Sequence, residues 1–192
     1  MTDKITALIK RVRALEDELE IEFARRRSDF SYRIEQGRVV FEQDVRQRHA
    51  ALKHKLSSYL AGARPLVVLT APFIYSVIIP FVLLDICVSI YQIVCFPVYG
   101  IEKVQRADYI TFDRKHLSYL NGLEKLNCMY CSYGNGLLAY AVEITARTEK
   151  YWCPIKHAKR MAGQHAHYSE FEEFGDAEGF QRSKDVSRNA TK

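Results

Sequence analysis

The amino-acid sequence predicts a mainly α-helical chain in three parts with a polar tail. Three observations carry the prediction. Residues 1–61 contain no proline and a single glycine, Gly37. An almost uncharged apolar stretch runs from Pro65 to Ile101. Beyond it, three cysteines and a histidine recur at spacings that suit one small helical domain.

The first part reads as one long helix. Its apolar positions follow a period of eleven: Leu8, Leu19, Phe30, Phe41 and Leu52 form one series, and Val12, Phe23, Ile34, Val45 and Leu56 follow four residues behind. Eleven residues make three turns at about 3.67 residues per turn, so both series stay on one narrow face. Arg, Lys, Glu and Gln fill many of the other positions. So narrow a seam favours helix-to-helix packing, and a coiled coil that joins copies into a homo-oligomer is expected over residues 1–61. The competing readings are an amphipathic helix lying on a membrane, which wants a broader apolar face, and a helix packed on its own chain.

The second part, 65–101, holds 37 residues and one charge, Asp85. A span needs about 20 residues to cross about 30 Å of hydrocarbon. One helix of this length would reach about 55 Å. Two arms meeting near Asp85 fit better, as a membrane hairpin with Asp85 at its tip and not at the costly midplane. Arg46, Arg48, Lys53, Lys55 and Arg64 precede the segment, and Lys103, Arg106, Arg114 and Lys115 follow it. The positive-inside rule then places both flanks in the cytoplasm. No Gly or Asn beside Asp85 offers a tight turn, whereas Pro72, Pro80 and Pro97 imply kinks. A shallow re-entrant hairpin is the alternative, as is Asp85 serving as an ionisable group inside a bundle.

The third part, 102–168, begins with Tyr109, Phe112, Leu117, Leu120, Leu123 and Leu126 at rough helical spacing. Asn127 to Asn135 reads as a cysteine- and tyrosine-rich turn, and Leu137 to Glu149 as a helix capped by Asn135. Another helix is expected to start at Cys153-Pro154, since proline suits a first turn. Residues 169–192 turn acidic and then polar, which predicts a disordered tail.

Composition narrows the function. The net charge is +5, and the densest basic run, Arg25 to Arg27, is flanked by acidic residues. It reads as a solvated helix face, and no nucleic-acid partner is expected. Five cysteines, an odd number with one C-x2-C pair, do not form a secreted disulfide framework. Cys87 and Cys95 lie in the apolar segment and read as small buried hydrophobes. Met1 to Lys10 lacks the apolar core of a signal peptide. The expected location is an inner membrane with both termini in the reducing cytoplasm. No Walker loop, G-x-G-x-x-G, H-E-x-x-H or G-x-S-x-G occurs, so no enzyme class is expected.

The chemistry-bearing pattern is Cys128-x2-Cys131 followed, after 21 residues, by Cys153-x3-His157. The first spacing lets two thiolates of a tight turn face one ion, and the second puts two ligands on one helix face. Together they predict a closed Cys3His set of Cys128, Cys131, Cys153 and His157 around Zn2+. His165 and His167 could substitute. The rival readings are a [2Fe–2S] cluster, a reactive Cys128–Cys131 dithiol, and ordinary thiols in a small core. The CDGSH-type iron–sulfur proteins are membrane-anchored and resemble this chain in ending on C-x3-H. They use C-x-C with a shorter gap, so the likeness covers the ligand set and not the fold.

Residues Asn127-Cys128-Met129-Tyr130-Cys131-Ser132-Tyr133, Asn135-Gly136 and Tyr151-Trp152-Cys153-Pro154-Ile155-Lys156-His157-Ala158 resemble a family of small bacterial proteins. The similarity runs from about Asp113 to Gly179 and includes Gly175-Asp176-Ala177-Glu178. The resemblance implies a bacterial protein whose motif works as a unit; it names no reaction. The sequence reading is therefore a membrane-anchored, metal-binding scaffold that oligomerises through its N-terminal helix and has the lipid bilayer as its first partner. A membrane-anchored redox or electron-transfer protein is the alternative.

Overall fold

Asn121 starts the longest helix. Its side chain accepts from the Glu124 N–H at 3.0 Å, and Glu124 Oε2 accepts from the Asn121 N–H at 2.8 Å. This reciprocal capping box satisfies two donors that a helix N-terminus leaves orphaned. The helix it opens, α7, runs for 31 residues over Gly122–Trp152. The computed structural model describes residues 3–28, 32–35, 38–41 and 43–189, which are mainly helical.

Ahead of α7 come α1 (Asp3–Ser28), a two-stranded antiparallel sheet of β1 (Tyr32–Glu35) and β2 (Arg38–Phe41), α2 (Gln43–Ala51), α3 (Leu56–Ala61), α4 (Pro65–Ser76), α5 (Ile78–Tyr99) and the single turn α6 (Arg106–Tyr109). After it come a 3-10 turn at Ala166–Glu170 and α8 (Ala177–Asn189).

The helix expected over 1–61 is thus interrupted. Alternating Tyr32, Ile34, Val39 and Phe41 flank Gln36-Gly37, and Tyr32 pairs with Phe41 and Ile34 with Val39 in the sheet register. The same apolar residues satisfy a period of two there, and β-branched and aromatic residues favour it. Of the eleven-residue series, Phe30 lies outside the described residues, and Ile34 and Phe41 sit in strands.

No hairpin forms at Asp85, which lies within α5. Val77, between α4 and α5, keeps helical angles (φ −63°, ψ −15°), so Pro65–Tyr99 is one rod of 35 residues. Pro80 falls in the first turn of α5, where its missing N–H costs little. The rod stops at Gly100, whose φ of 64° is the left-handed conformation that glycine tolerates. The Ile101 N–H closes the end on the Phe96 carbonyl at 2.9 Å.

Rod and α7 lie side by side and point the same way. Tyr75 bonds Asn127, Tyr133 bonds Asp85, Gln92 bonds Tyr140, and Tyr99 stacks on Tyr151, so residue numbers rise together along both. Two parallel helices need a return connection, and residues 100–121 supply it as a strap. Val104 meets Gln92, Arg106 meets Asp85, and Phe112 reaches the level of Tyr75 and Ile78. The buried core sits where the three layers touch: Phe96 from the rod, Val104 and Ile110 from the strap, and Leu137, Tyr140 and Ile144 from α7. Two glycines of α7 permit that approach. A Cβ on Gly134 would lie 2.7 Å from the Phe81 ring, and one on Gly136 would collide with the Tyr109 carbonyl.

Asn127 to Asn135, expected as a turn, is helical. The capping box lies six residues upstream of Asn127, and Asn135 donates to the Cys131 carbonyl from inside the helix. Cys153 ends α7 and does not open another helix; its φ of −150° and ψ of 68° leave the helical region. Ile155 and Glu172 then form a parallel bridge, with the Lys156 N–H bonded to the Glu172 carbonyl at 2.8 Å. Residues 177–189, expected within a disordered tail, form α8.

Candidate functional site

The rod carries three polar side chains at i, i+4 and i+7: Asp85, Ser89 and Gln92. Helical spacing puts them on one face, and that face is the covered one. Arg106 of the strap grips Asp85 with two bonds, Nε to Oδ1 at 3.1 Å and Nη2 to Oδ2 at 2.6 Å. Tyr133 of α7 donates to Oδ2 at 2.9 Å, and Ser89 lies 3.5 Å from Oδ1. The Asp85 side chain keeps only 14% of its exposure. One turn further on, Gln92 is 7% exposed and bonds three ways. It accepts from the Val104 N–H at 3.0 Å, and its amide donates to the Val104 carbonyl and the Tyr140 hydroxyl.

The electrostatics follow from this arrangement. The bond to Asp85 raises the Arg106 guanidinium further above its already high range, against a smaller opposing effect of burial. Burial, then the bond to Asp85, pushes the Tyr133 phenol upward. A fully ionised pair held by a bidentate contact is a latch: it fixes the strap to the rod and orients both against α7. Its oxygens are engaged by donors, so it offers no free general base.

The opposite face of the rod is apolar and uncovered. Ile79, Leu83, Ile86, Ile90, Ile93 and Val98 are all more than half exposed. The 35-residue rod is long and apolar enough to cross a membrane.

The predicted ligand set is distributed differently. Cys128 and Cys131 sit on adjacent turns of α7, half-buried and exposed respectively. Cys153 is exposed at the other end of the same helix. At 1.5 Å per residue, about 33 Å of helix separates Cys131 from Cys153. His157 lies beyond, its ring stacked on Tyr168 and its N–H donating to the Tyr168 hydroxyl at 2.7 Å. Each pair stays local, and one chain does not bring the four together. Among the described residues, no three His, Cys, Asp or Glu side chains are grouped to hold a metal ion.

His165 and His167 join a second polar cluster against α7. His165 Nε2 lies 3.1 Å from Glu149 and His167 Nε2 3.1 Å from Glu143. Burial pushes the Glu143 carboxyl up, but the bonds from Arg147 and His167 more than offset it and leave it below its ordinary value. Lys150 bonds Glu170 at 2.6 Å and lowers that carboxyl, with burial opposing. These contacts fasten residues 165–170 to the helix.

Comparisons with family models, with curated proteins and with solved structures found no match. The latch residues Arg106, Tyr133 and Gln92 were not among the sequence-based candidates. Their signal was available: a lone carboxylate in an apolar helix needs a partner, and Arg106 is the first arginine after it.

Proposed function

We propose that this chain is a membrane-anchored scaffold, held by the outward apolar face of the rod and presenting its N-terminal arm and C-terminal helices on one side of the bilayer. The observation that carries the reading is the two-faced rod: Asp85, Ser89 and Gln92 turn toward the strap and α7, while isoleucines and leucines remain outside. At 35 residues the rod is about 52 Å long, well beyond the roughly 30 Å of hydrocarbon. α7 accompanies it with Glu143, Arg147, Glu149 and Lys150. Carrying those charges through the bilayer would cost about 2.5–3.5 kcal/mol apiece on insertion scales. A rod lying along the interface on its apolar face avoids that cost. α4, uncharged and almost wholly exposed, seats deepest.

The N-terminal arm supports the one-sided arrangement. His49 of α2 packs edge-on against Tyr119, and Arg13 of α1 lies 3.9 Å from Glu170. Assembly of copies is proposed through α1, whose Leu8, Val12, Leu15, Leu19 and Phe23 form an exposed stripe at helical spacing. Zinc has no part in this reading, because single-chain closure of the four ligands would need α7 to be broken.

The test is accessibility in sealed vesicles. A chain whose only cysteine is Cys153 and one whose only cysteine replaces Ala14 should react with an impermeant maleimide from the same side. Labelling from opposite sides would overturn the one-sided arrangement. Ile86→Glu/Ile90→Glu should release the protein from vesicles into the soluble fraction; continued tight association would overturn anchoring by this face.

A further inference from the structure

We propose that the groove between the rod, the strap and the start of α7 binds one acyl chain of an anionic phospholipid, with the lipid phosphate against Arg114 and Lys115. This inference rests on the membrane-anchored reading above and names the lipid that the anchor takes.

The groove measures about 370 Å³. That lies near the bottom of the roughly 300–1,000 Å³ usual for small-molecule sites and suits a slender occupant. Tyr75 and Ile78 line it from the rod, Phe112 from the strap, and Leu126, Met129 and Tyr133 from α7. The polar atoms near it are already engaged. Tyr75 donates to Asn127, Tyr130 to the Ile74 carbonyl at 2.6 Å, and Tyr133 to Asp85 at 2.9 Å. The walls therefore offer an incoming molecule no free hydroxyl donor, so the acceptor oxygens of a sugar or nucleotide would lose their water without replacement. A hydrocarbon chain needs no hydrogen-bond partner and matches an apolar wall.

Charge selects the headgroup. Two residues after Phe112, Arg114 and Lys115 stand exposed in the 3-10 turn Asp113–His116, which packs on α7. Asp113 is the acidic group on that turn; Glu124, beside the groove on α7, is spent on the capping box. The basic pair and an adjacent apolar slot match the two ends of one lipid: a phosphate in the headgroup layer and a chain below it. Tyr75 and Ile78 belong to the rod, so the slot opens beside the segment assigned to the bilayer.

The experiment is native mass spectrometry of the full chain released from detergent, with palmitoyl-oleoyl phosphatidylglycerol or phosphatidylcholine added in equal amounts. One phosphatidylglycerol per chain is expected to survive detergent removal. Leu126→Trp, which fills the groove, should lower that occupancy at least tenfold, and Met129→Phe, a milder fill, should lower it less. Arg114→Gln/Lys115→Gln should bring phosphatidylglycerol down to the phosphatidylcholine level. No retained lipid, unchanged occupancy in both filled variants, or equal retention of the two lipids would overturn the proposal. A lipid-free dimer that Leu126→Trp dissociates would assign the groove to a second copy and overturn it too. Vesicle flotation separates this result from the anchoring reading. Wild type and Leu126→Trp should both float; a wild type that does not float strikes the anchor itself.

Discussion

Arg106 and Asp85 are 21 residues apart in sequence and joined by two parallel bonds, the shorter 2.6 Å long. Their contact explains how an apolar rod carries a carboxylate at its centre. The charge is turned away from the uncovered face, paired, and supplied with a third donor by Tyr133. Removing one partner leaves the other unpaired in a largely dry place, which is worse than removing both. Arg106→Ala should therefore cost about 2–3 kcal/mol, less than a fully buried pair because Arg106 is 45% exposed. Asp85→Leu/Arg106→Leu should cost less than Arg106→Ala alone. Thermal or urea unfolding in one detergent decides it; a double variant weaker than the single would sink the latch.

Gly136 should prove intolerant where Gly122 is not. A methyl on Gly136 meets the Tyr109 carbonyl, which is backbone and cannot rotate away, and the strap must shift. Gly136→Ala should lose about 1–3 kcal/mol, as overpacking does. Gly122 is the first residue of α7, and a methyl added there meets nothing within 4 Å, so Gly122→Ala should be neutral or gain up to about 1 kcal/mol. Equal melting shifts for the two would contradict the close strap.

Helix content was legible where one period stood alone. The apolar segment from Pro65 was legible as helix but not as one rod: its length exceeds a bilayer crossing, so two arms meeting near Asp85 were expected where α4 and α5 run on together. Residues 30–41 carried two periods at once, and the pairing of Tyr32 and Ile34 with Phe41 and Val39 prevailed over the eleven-residue seam. The C-x2-C spacing was misleading for a related reason. It fits a turn, but it also fits two successive turns of a helix, and Asn121 with Glu124 had already committed the chain to helix upstream of Asn127. The latch was legible only as a need: Asp85 called for a partner, but which cation meets it is decided by the return of the strap, which brings Arg106 back across 21 residues.

Acid should loosen the C-terminal segment. The Glu143 carboxyl is held below its ordinary value of 4.5 in the folded chain. A group depressed on folding stabilises above its unfolded value, and that stability is lost as pH falls through the folded value. Stability should therefore drop on acidification below about pH 4.5. Glu143→Gln should flatten part of that drop while lowering stability near neutrality. Glu170, also depressed but 44% exposed, should contribute little. Unfolding curves from pH 3 to 7 read this, and an identical pH dependence in Glu143→Gln would remove Glu143 from the account.

The last prediction concerns the thiols. Were Cys153 a ligand that closes the domain, Cys153→Ser would unfold it, since a structural metal site contributes folding energy outright. In the fold, Cys153 has a backbone role of its own. It caps α7 with its N–H on the Glu149 carbonyl at 2.8 Å, and serine supplies the same N–H. Its side chain is exposed, and the core of Phe96, Leu137, Tyr140 and Ile144 does not involve it. Cys153→Ser should leave the circular dichroism unchanged and the melting temperature within the scatter of surface substitutions, about 0.5 kcal/mol. Incubation with a strong zinc chelator should do equally little. Asn121→Ala, by contrast, should cost about 0.5–2 kcal/mol, because it removes the cap that starts the same helix. A Cys153→Ser chain that unfolds, or a wild type that a chelator melts, would return the cysteines to a structural centre assembled between chains.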